Sequence, residues 1–432
     1  MKLSLSGRLT LACVVSLALI SGMTACGGGT VGFMWVLGTQ YNQVDGFKID
    51  NFTGNLTKVV HAPFSSGGTN PVSIVVRPGG RWVYVVNKGV APTYDKNGAP
   101  VANTGTAGTI SIYSVGGDGV LSYQLSQSSQ GTNPIWAQMD SSGNYLYVLD
   151  ALSNQNDSSQ YVVTAANPNP VGAITVFSIA ADTGRLTLIQ NQQTKCTTSA
   201  CNGQQLTYFP VGKNPTMMKF FSSGYLFTLN AGDSTSTGPS ITTYQQNSTN
   251  GQLTLVANST TQLAAPGTNI SSITSNGTYV YLTDVTNNQI YAYTVSSGAL
   301  QPVTGSPFAN LSPATTPVWT LVDSKGKFLY VLNQATSNVQ NVSSTISAYT
   351  IDTQGRLARL ADTSNPYPVG SGPVCMLQDP SNQYVYTSNR NDSTVSGFII
   401  NQNTGQLSGL TRGSTFPTVG NPTCLVASGN VR

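Results

Sequence analysis

Short runs of alternating apolar and polar residues recur along the chain, and they are rich in Val, Ile, Tyr and Phe. Turns rich in Gly, Asn and Asp separate these runs. The stretch YVYTSNRNDSTVSGFIINQNTGQLSGL, at residues 384–410, contains three runs in succession. Alternation with a period of two, together with β-branched and aromatic enrichment, predicts β-strands throughout the chain.

The runs are ordered as a repeat of four. Run A follows a two-residue tag, run B is aromatic, run C alternates regularly, and run D follows a Gly turn. Seven tags mark the repeats: Asn70-Pro71, Asn133-Pro134, Asn214-Pro215, Asn269-Ile270, Thr316-Pro317, Gly372-Pro373 and Asn421-Pro422. Four short strands that recur about every 50 residues are typical of a β-propeller blade, and an array of blades forms one domain.

The two ends of the chain complement each other. The first run, FMWVLG at residues 33–38, is a B run with no A run before it. The last run, NPTCLVA at residues 421–427, is an A run with no B run after it. Since ring closure removes open sheet edges, we predict that the C-terminal strand completes blade 1. The expected fold over residues 33–432 is all-β: a seven-bladed β-propeller with four-stranded blades.

Residues 1–25 have the features of a signal peptide. Lys2 and Arg8 precede the apolar stretch LACVVSLALI, and the segment MTAC ends in Cys26. This segment resembles the lipobox of bacterial lipoproteins, which implies that Cys26 is acylated; a plain secretory signal is the alternative. Residues 26–32 would form the lipidated Cys and a flexible tether. The expected location is the bacterial cell envelope, as a membrane-anchored lipoprotein that faces the periplasm or the exterior.

Charged residues are sparse, at 8% of the chain, and all 15 acidic residues are Asp. The formal net charge is +4, and no run of Lys or Arg occurs. We therefore expect no binding to nucleic acid and no membrane contact beyond the lipid anchor.

The cysteines suit an exported protein. Cys196 and Cys201 close the short polar loop KCTTSAC, which predicts a disulfide in an oxidising compartment, with a metal-binding pair as the alternative. Cys375 and Cys424 occupy equivalent positions of run A. They are expected to be buried free thiols, and a bridge between them would need Cα atoms within about 7 Å.

The long insertions fall between runs B and C or between runs D and A, whereas the A–B and C–D turns are short. In a propeller the B–C and D–A connections share one face, here called the loop-rich face, and the short turns share the other, the turn face. Because function concentrates in loops on a rigid scaffold, we predict a ligand site on the loop-rich face. The residues that end the B runs lie there: Gly38, Asn87, Asp150, Asn230, Asp284, Asn333 and Asn389.

Two interpretations apply to these B-run ends. Asn and Asp stop strands and bond nearby backbone in turns, which is a structural role. Alternatively, some of them bind a ligand or an ion. Lys88 and Arg390 follow B runs directly and could meet an anionic substrate, or they are solvated loop cations. The binding candidates are Asn87, Lys88, Asp150, Asn230, Asp284, Asn333, Asn389 and Arg390, and the weak catalytic candidates are Asp150, Asp284 and Arg390.

The four Trp residues fall at two kinds of position. Trp35 and Trp82 lie in B runs, and Trp136 and Trp319 occupy equivalent positions of run A. We expect them to pack between blades; stacking on a sugar is the alternative.

The run A tag, the B pattern YVYVxN, the C pattern TISxYxI, the turn TGxL and the end-to-end closure resemble the seven-bladed lactonase propellers. That family contains the 6-phosphogluconolactonase type and the carboxymuconate-cyclising enzymes, and the secreted YVTN surface propellers are equally similar. The resemblance implies the fold, and it implies lactone chemistry for the enzymes, which place His, Glu and Arg around the channel mouth. This chain departs from that pattern, because it has no Glu and its single His, His61, follows the outermost run of blade 1.

We interpret the protein as a binding or scaffolding module that acts at the cell envelope through its loop-rich face. The alternative is a lactone hydrolase that uses Asp and Arg at the channel mouth. Efficient hydrolysis of 6-phosphogluconolactone is not expected, because general-base catalysis works best with a base of near-neutral pKa. No cofactor is expected, although a divalent metal held by Asp150 or Asp284 would favour hydrolysis. The expected partner is a small molecule, a glycan or an envelope protein, and the expected state is a monomer.

Overall fold

The computed structural model describes residues 29–90, 105–153, 171–195, 205–233, 235–335 and 344–429. Every regular element in these ranges is a β-strand, and the strands form seven antiparallel sheets. No described residue belongs to a helix that is long and apolar enough to cross a membrane. The prediction of an all-β propeller is confirmed.

Each sheet is one blade, numbered here in chain order. Blade 1 contains β1 (Thr30–Gly38), β2 (Gln43–Asp50), β3 (Leu56–Lys58) and β4 (Phe64–Ser65). Blade 2 contains β5 (Pro71–Val76), β6 (Trp82–Asn87), β7 (Thr109–Val115) and β8 (Leu121–Gln127). Blade 3 contains β9 (Thr132–Met139), β10 (Tyr145–Leu152), β11 (Val171–Ile179), β12 (Leu186–Ile189) and β13 (Phe209–Lys213). Blade 4 contains β14 (Pro215–Phe220), β15 (Tyr225–Asn230), β16 (Ser240–Gln246) and β17 (Leu253–Gln262).

The remaining three blades follow the same order. Blade 5 contains β18 (Ile270–Ser275), β19 (Tyr279–Asp284), β20 (Gln289–Ser296), β21 (Ala299–Pro302) and β22 (Phe308–Ala309). Blade 6 contains β23 (Pro317–Val322), β24 (Phe328–Asn333), β25 (Thr345–Ile351), β26 (Leu357–Arg359) and β27 (Tyr367–Pro368). Blade 7 contains β28 (Pro373–Gln378), β29 (Tyr384–Asn389), β30 (Thr394–Ile400), β31 (Leu407–Gly409) and β32 (Thr415–Pro417).

The last strand, β33 (Pro422–Gly429), closes the ring as predicted. It pairs antiparallel with β1, and Phe33 lies opposite Ser428. The innermost strands β33, β5, β9, β14, β18, β23 and β28 contact one another in a closed circle around the central channel. Because β1 begins at Thr30, part of the segment predicted as a tether pairs in this sheet.

The outer edge of the blades is more complex than a single run D. In five blades the chain leaves the C strand after a short pairing, bends, and returns as a second short strand: β4, β13, β22, β27 or β32. This second piece pairs with the beginning of strand C, as Gln43 does with Ser65 in blade 1. The D–A connection is thereby held against the loop-rich end of its own blade.

An aromatic residue of strand B fastens one blade to the next. Tyr84 in blade 2 is fully buried and donates a hydrogen bond of 2.8 Å to the carbonyl of Gly184, in the C–D turn of blade 3. Equivalent bonds run from Tyr147 to Gly251, Tyr281 to Gly355, Tyr330 to Gly405, Tyr386 to Gly54, and the Trp35 indole to Gly119.

The glycine of this contact cannot be replaced by another residue without strain. Gly184 adopts a φ of 65°, and a Cβ there would lie 2.4 Å from the ring of Trp82. A side chain would therefore strain the backbone and collide with the neighbouring blade. The aromatic B run and the Gly turn are two halves of one contact between blades, and this is why the same motif recurs along the chain.

Candidate functional site

The structure gathers the predicted B-run ends into a ring around the loop-rich end of the channel. Each one pairs with the second residue of its blade's tag, as Asn87 does with Pro71 and Asp150 with Pro134. The ring, called the rim below, consists of Gly38, Asn87, Asp150, Asn230, Asp284, Asn333 and Asn389. The six Asn and Asp side chains are buried.

The four rim amides each donate a hydrogen bond to a hydroxyl of strand C in their own blade. The Nδ2 group of Asn333 donates to the Oγ of Ser347 at 3.0 Å, and that of Asn389 donates to the Oγ of Ser396 at 2.9 Å. Asn87 bonds Ser111 and Asn230 bonds Thr242 in the same way, each at 3.0 Å. These amides hold strands B and C together at the rim, and their predicted role in binding stays a prediction.

Two rim amides leave an acceptor unused. The Oδ1 atoms of Asn87 and Asn230 are buried and have no hydrogen-bond partner among the described residues. A buried polar atom without a partner carries a cost in free energy, which a hydroxyl donor from a ligand or water would relieve.

Blade 1 uses a different arrangement. Its rim position is Gly38, and the carboxylate lies instead on strand C, at Asp45. Asp45 is fully buried, pairs with Lys58 at 3.0 Å and accepts a 3.1 Å hydrogen bond from Thr418. Sequence reasoning missed Asp45, although aligning QVDGF with the hydroxyl-bearing C runs would have marked it as the exception.

Asp284 is satisfied within its own B–C turn. Its carboxylate accepts hydrogen bonds from the backbone N–H of Asn287 at 3.0 Å and from the Nδ2 group of Asn287 at 2.8 Å. The hydroxyl of Tyr291 adds a third, at 3.4 Å. These hydrogen bonds hold the B–C turn of blade 5 in place.

Asp150 differs from every other rim residue. It accepts a short hydrogen bond of 2.5 Å from Ser129 and one of 3.1 Å from Thr175. The backbone N–H of Gly131 also bonds it. These donors lower the pKa of the carboxyl group, but complete burial outweighs them and raises the pKa to about 7.

Ser129 connects Asp150 to the surface. It lies in the connection between β8 and β9 and is half-buried, whereas Asp150 is fully buried. Gly131 permits the close approach of this segment, because a Cβ there would lie 2.4 Å from the Cβ of Asp150. Sequence reasoning missed Ser129, since nothing in the sequence LSQSSQGT distinguishes it from its neighbours.

Lys88 and Arg390 are exposed at the rim of blades 2 and 7, on either side of blade 1. Their backbone N–H groups bond the carbonyls of Asn70 and Gly372, which precede the innermost strands, at 2.8 and 2.9 Å. Both side chains therefore start beside the channel. Two cations on adjacent parts of one rim create a local positive potential that attracts anionic ligands.

The described residues contain no cluster of three or more His, Cys or Asp side chains that could hold a metal. Asp150 and Asp284 each have separate hydrogen-bond partners, and within the described ranges neither has a second carboxylate beside it. This donor set does not suit a divalent metal. The prediction that no cofactor is needed stays a prediction.

His61 is exposed and lies in the turn after β3, the outermost strand of blade 1. It therefore lies far from the channel. Cys26, Cys196 and Cys201 fall outside the described residues, so their lipid and disulfide predictions stand as predictions.

Trp136 and Trp319 pack against the cores between blades 3 and 4 and between blades 6 and 7, as expected, and they also meet each other across the channel. They belong to the innermost strands of blades 3 and 6, yet their ring centroids are 5.8 Å apart. We call the part of the channel between the two indoles and the rim its loop-side part, and the part between the indoles and the turn face its turn-side part.

The chain matches a family of known propellers. The profile of the family described as "Lactonase, 7-bladed beta-propeller" matches residues 30–167 and 274–427, which is more than half of the chain. The chain belongs to this lactonase family. A comparison with curated protein sequences finds no match.

Solved structures of other bacterial proteins share the fold at low identity. The periplasmic gluconolactonase of Pseudomonas aeruginosa superimposes with a TM-score of 0.63 and 17% identity, over 93% of this chain and 100% of that one. A Bacteroides fragilis protein proposed to be a 6-phosphogluconolactonase gives a TM-score of 0.64 and 17% identity, over 92% and 98% of the two chains. A Lactobacillus plantarum protein gives 0.63 and 16%, over 93% and 100%.

Proposed function

We propose that the protein is a lactone hydrolase that acts at the loop-rich face, with Ser129 as nucleophile and Asp150 as its base. The observation that carries the proposal is the 2.5 Å hydrogen bond from a half-buried hydroxyl to a buried carboxyl whose pKa lies near 7. Membership of the lactonase family favours this activity over the binding module that the sequence favoured.

In this mechanism the Ser129 oxygen attacks the lactone carbonyl while Asp150 accepts its proton. A serine hydroxyl is a weak nucleophile unless an adjacent base removes its proton, and a base with a pKa near the working pH does so best. As the ring opens to an ester on Ser129, Asp150 gives the proton to the departing ring oxygen, which becomes a hydroxyl group. Asp150 then takes a proton from the water that attacks the ester and returns it to Ser129 as the hydroxy acid leaves. Burial of Asp150 supplies the basicity that the missing Glu and the remote His61 do not.

Lys88 and Arg390 would attract the substrate and would not take part in the chemistry. Both are exposed, so solvent screens their charge and their effect is on binding. Two solvated cations bind a phosphate group only weakly. We therefore expect an unphosphorylated sugar lactone to be preferred over 6-phosphogluconolactone.

The test is hydrolysis of a lactone panel, including gluconolactone and 6-phosphogluconolactone, by wild type and by S129A, D150N and D284N. We expect S129A and D150N to lower turnover at least 100-fold, since general-base catalysis contributes about 10²–10⁴-fold. D284N is the matched control, because it changes a rim carboxylate that bonds only its own turn. Turnover that survives D150N would exclude this mechanism.

A ligand-binding role without catalysis is the second candidate. It is favoured by the buried Oδ1 atoms of Asn87 and Asn230, which have no hydrogen-bond partner among the described residues. Under this alternative no lactone of the panel is hydrolysed by wild type, and a sugar raises the melting temperature in a way that N87A or N230A abolishes.

The proposed location is the cell envelope, with Cys26 acylated and the propeller facing the periplasm or the exterior. The motive is the sequence MTAC after an apolar stretch. Replacing Cys26 with Ala should move the protein from the membrane to the soluble fraction of cells. Identical partition of wild type and C26A would contradict lipid anchoring.

A further inference from the structure

The turn-side part of the channel contains a cation that the proposed lactonase chemistry does not use. Lys219 on β14 lines a cavity of about 260 Å³ whose inner wall is the Trp136–Trp319 pair. Each inner strand runs from the loop-rich face to the turn face. Along these strands, Lys219 lies two residues nearer to the turn face than the level of Trp136 and Trp319. The cavity is therefore on the opposite side of the indole pair from the rim.

Lys219 has no ionic partner in the part of the chain that the structure describes. Ion pairs within the described part of the chain involve Lys58, Lys213 and Arg356. The side chain is half-buried, and burial alone lowers the pKa of its ammonium group, with no neighbouring charge contributing. A partly buried ammonium without a counter-charge is unfavourable, and a bound anion would relieve that cost.

The wall around Lys219 has two halves. The neighbouring inner strands at the same depth contribute polar Gln138 and Thr274, and the strands of blades 6 and 7 contribute apolar Leu321 and Leu377. Among the innermost strands, Lys219 is the one charged residue of the runs that begin at the tags. That isolated charge is the sequence signal by which it could have been noticed.

We propose that the turn-side cavity binds a small carboxylate with an apolar body, whose carboxylate pairs with Lys219 and whose chain lies against Leu321, Leu377 and the Trp pair. The volume is slightly below the roughly 300–1,000 Å³ of drug-sized sites, so the ligand must be small. This site is independent of the rim, and lactone hydrolysis should not depend on it.

The test uses hexanoate as probe and hexanamide as its uncharged isostere, with binding followed by ligand-observed NMR. We expect wild type to bind hexanoate at least tenfold more tightly than hexanamide, and K219M to lose that difference. K219R should retain part of it. K325M is the matched control, because Lys325 is an exposed cation of a tight turn on the same face.

K219M should fold at least as stably as wild type without ligand, because it removes an unpaired ammonium from a partly apolar wall. Equal affinity of wild type and K219M for hexanoate overturns the proposal, and so does equal affinity of wild type for hexanoate and hexanamide. If K219M does not fold, K219Q gives the same comparison.

A second inference rests on a different pair of residues. The Sγ atoms of Cys375 on β28 and Cys424 on β33 are 2.7 Å apart, and both side chains are buried. An S–S bond is about 2.05 Å long, so little movement separates these thiols from a bond. Both thiols are free in the structure, as the sequence predicted. We propose that oxidation joins them in a disulfide between blade 7 and the closing strand of blade 1.

The bond forms by exchange with a disulfide oxidant. The Cys375 thiolate attacks the oxidant disulfide and releases one oxidant thiol; the Cys424 thiolate then attacks the mixed disulfide and releases the second. The two protein thiols lose two protons and two electrons, and the oxidant gains them as two thiols. Burial raises the pKa of the Cys375 thiol, so the reaction should occur during folding, before the ring closes.

The test refolds the full chain with oxidised glutathione, digests it without reduction and maps cross-linked peptides by mass spectrometry. We expect a peptide that joins residues 375 and 424, and a melting temperature a few degrees above that of the reduced protein. C375S should show neither the cross-linked peptide nor the higher melting temperature. Full alkylation of Cys375 and Cys424 after unfolding of the oxidised sample would overturn the assignment.

Discussion

The two ends of the central channel are built from the same seven strands, yet their buried polar groups differ in whether they have bonding partners. At the rim, Asn333 and Asn389 are buried and bonded to strand C of their own blades. At the turn-side end, Lys219 is half-buried and has no ionic partner among the described residues. Polarity that recurs from blade to blade is structural, whereas an unpaired charge at one position of one blade marks a place to look for function.

The same contrast applies within the rim. Asn333 and Asn389 follow the repeat, and their amides join two strands. Asp150 breaks it, because a carboxyl replaces the amide, Ser129 contacts it, and its pKa rises to about 7. The predictions below test which groups are structural and which are functional.

The largest effect should come from deleting residues 421–432, which removes the wall of both channel ends at once. β33 pairs with β1 and contacts the inner strands of blades 2 and 7. Its loss exposes the edge of β1, and we expect failure to fold, since a typical domain has only about 5–15 kcal/mol of stability. Thermal unfolding measures this. Deleting only residues 430–432, which lie beyond β33, should change the melting temperature by less than about one degree.

Replacing Trp136 with Ala should join the two parts of the channel that lie on either side of the indole pair. The half-buried indole contacts Trp319, and its removal should cost about 2–3 kcal/mol, somewhat below the 3–5 kcal/mol typical of fully buried aromatics. W136F keeps a ring and serves as the control in denaturant unfolding. An unfolding free energy of W136A equal to that of wild type would show that the pair does not pack as described.

A rim amide should matter for stability and not for hydrolysis. N333A leaves the Nδ2 group of Asn310 without the acceptor that it now bonds at 2.7 Å. We expect a loss of about 1–3 kcal/mol in the free energy of unfolding. The exposed Asn403 gives the control N403A, which should cost less than about 0.5 kcal/mol. Equal stability of the two variants would contradict the structural role of the rim amides.

The pH dependence of stability should be the smallest of these effects. A carboxyl whose pKa is raised in the folded state binds its proton more tightly when folded, so its contribution to stability is present below about pH 4 and is lost as pH rises to about 7. D150N lacks this titration. Its melting temperature should therefore fall less than that of wild type between pH 4 and pH 7, and identical curves would contradict the raised pKa.

The sequence predicted the blade count, the closure and the position of the rim, because these depend on strand periodicity and on turn chemistry. It did not predict Asp45, Ser129 or Lys219 as notable residues. Ser129 approaches Asp150 through a connection between blades, and the burial that raises the pKa of Asp150 comes from packing that alternation does not encode. The meeting of Trp136 and Trp319 depends likewise on the channel diameter, which only the closed ring defines.

The most direct test of the account is the pH dependence of kcat/KM for gluconolactone, corrected for spontaneous hydrolysis, in wild type, D150N and D284N. Asp150 must be ionised to accept the proton of Ser129, so the wild-type rate should rise with pH and level off above about pH 7. D284N should follow the same curve, and D150N should show no such rise and a rate at least 100-fold lower. A wild-type profile without a step near pH 7, or a D150N profile like that of wild type, would contradict the proposed role of Asp150.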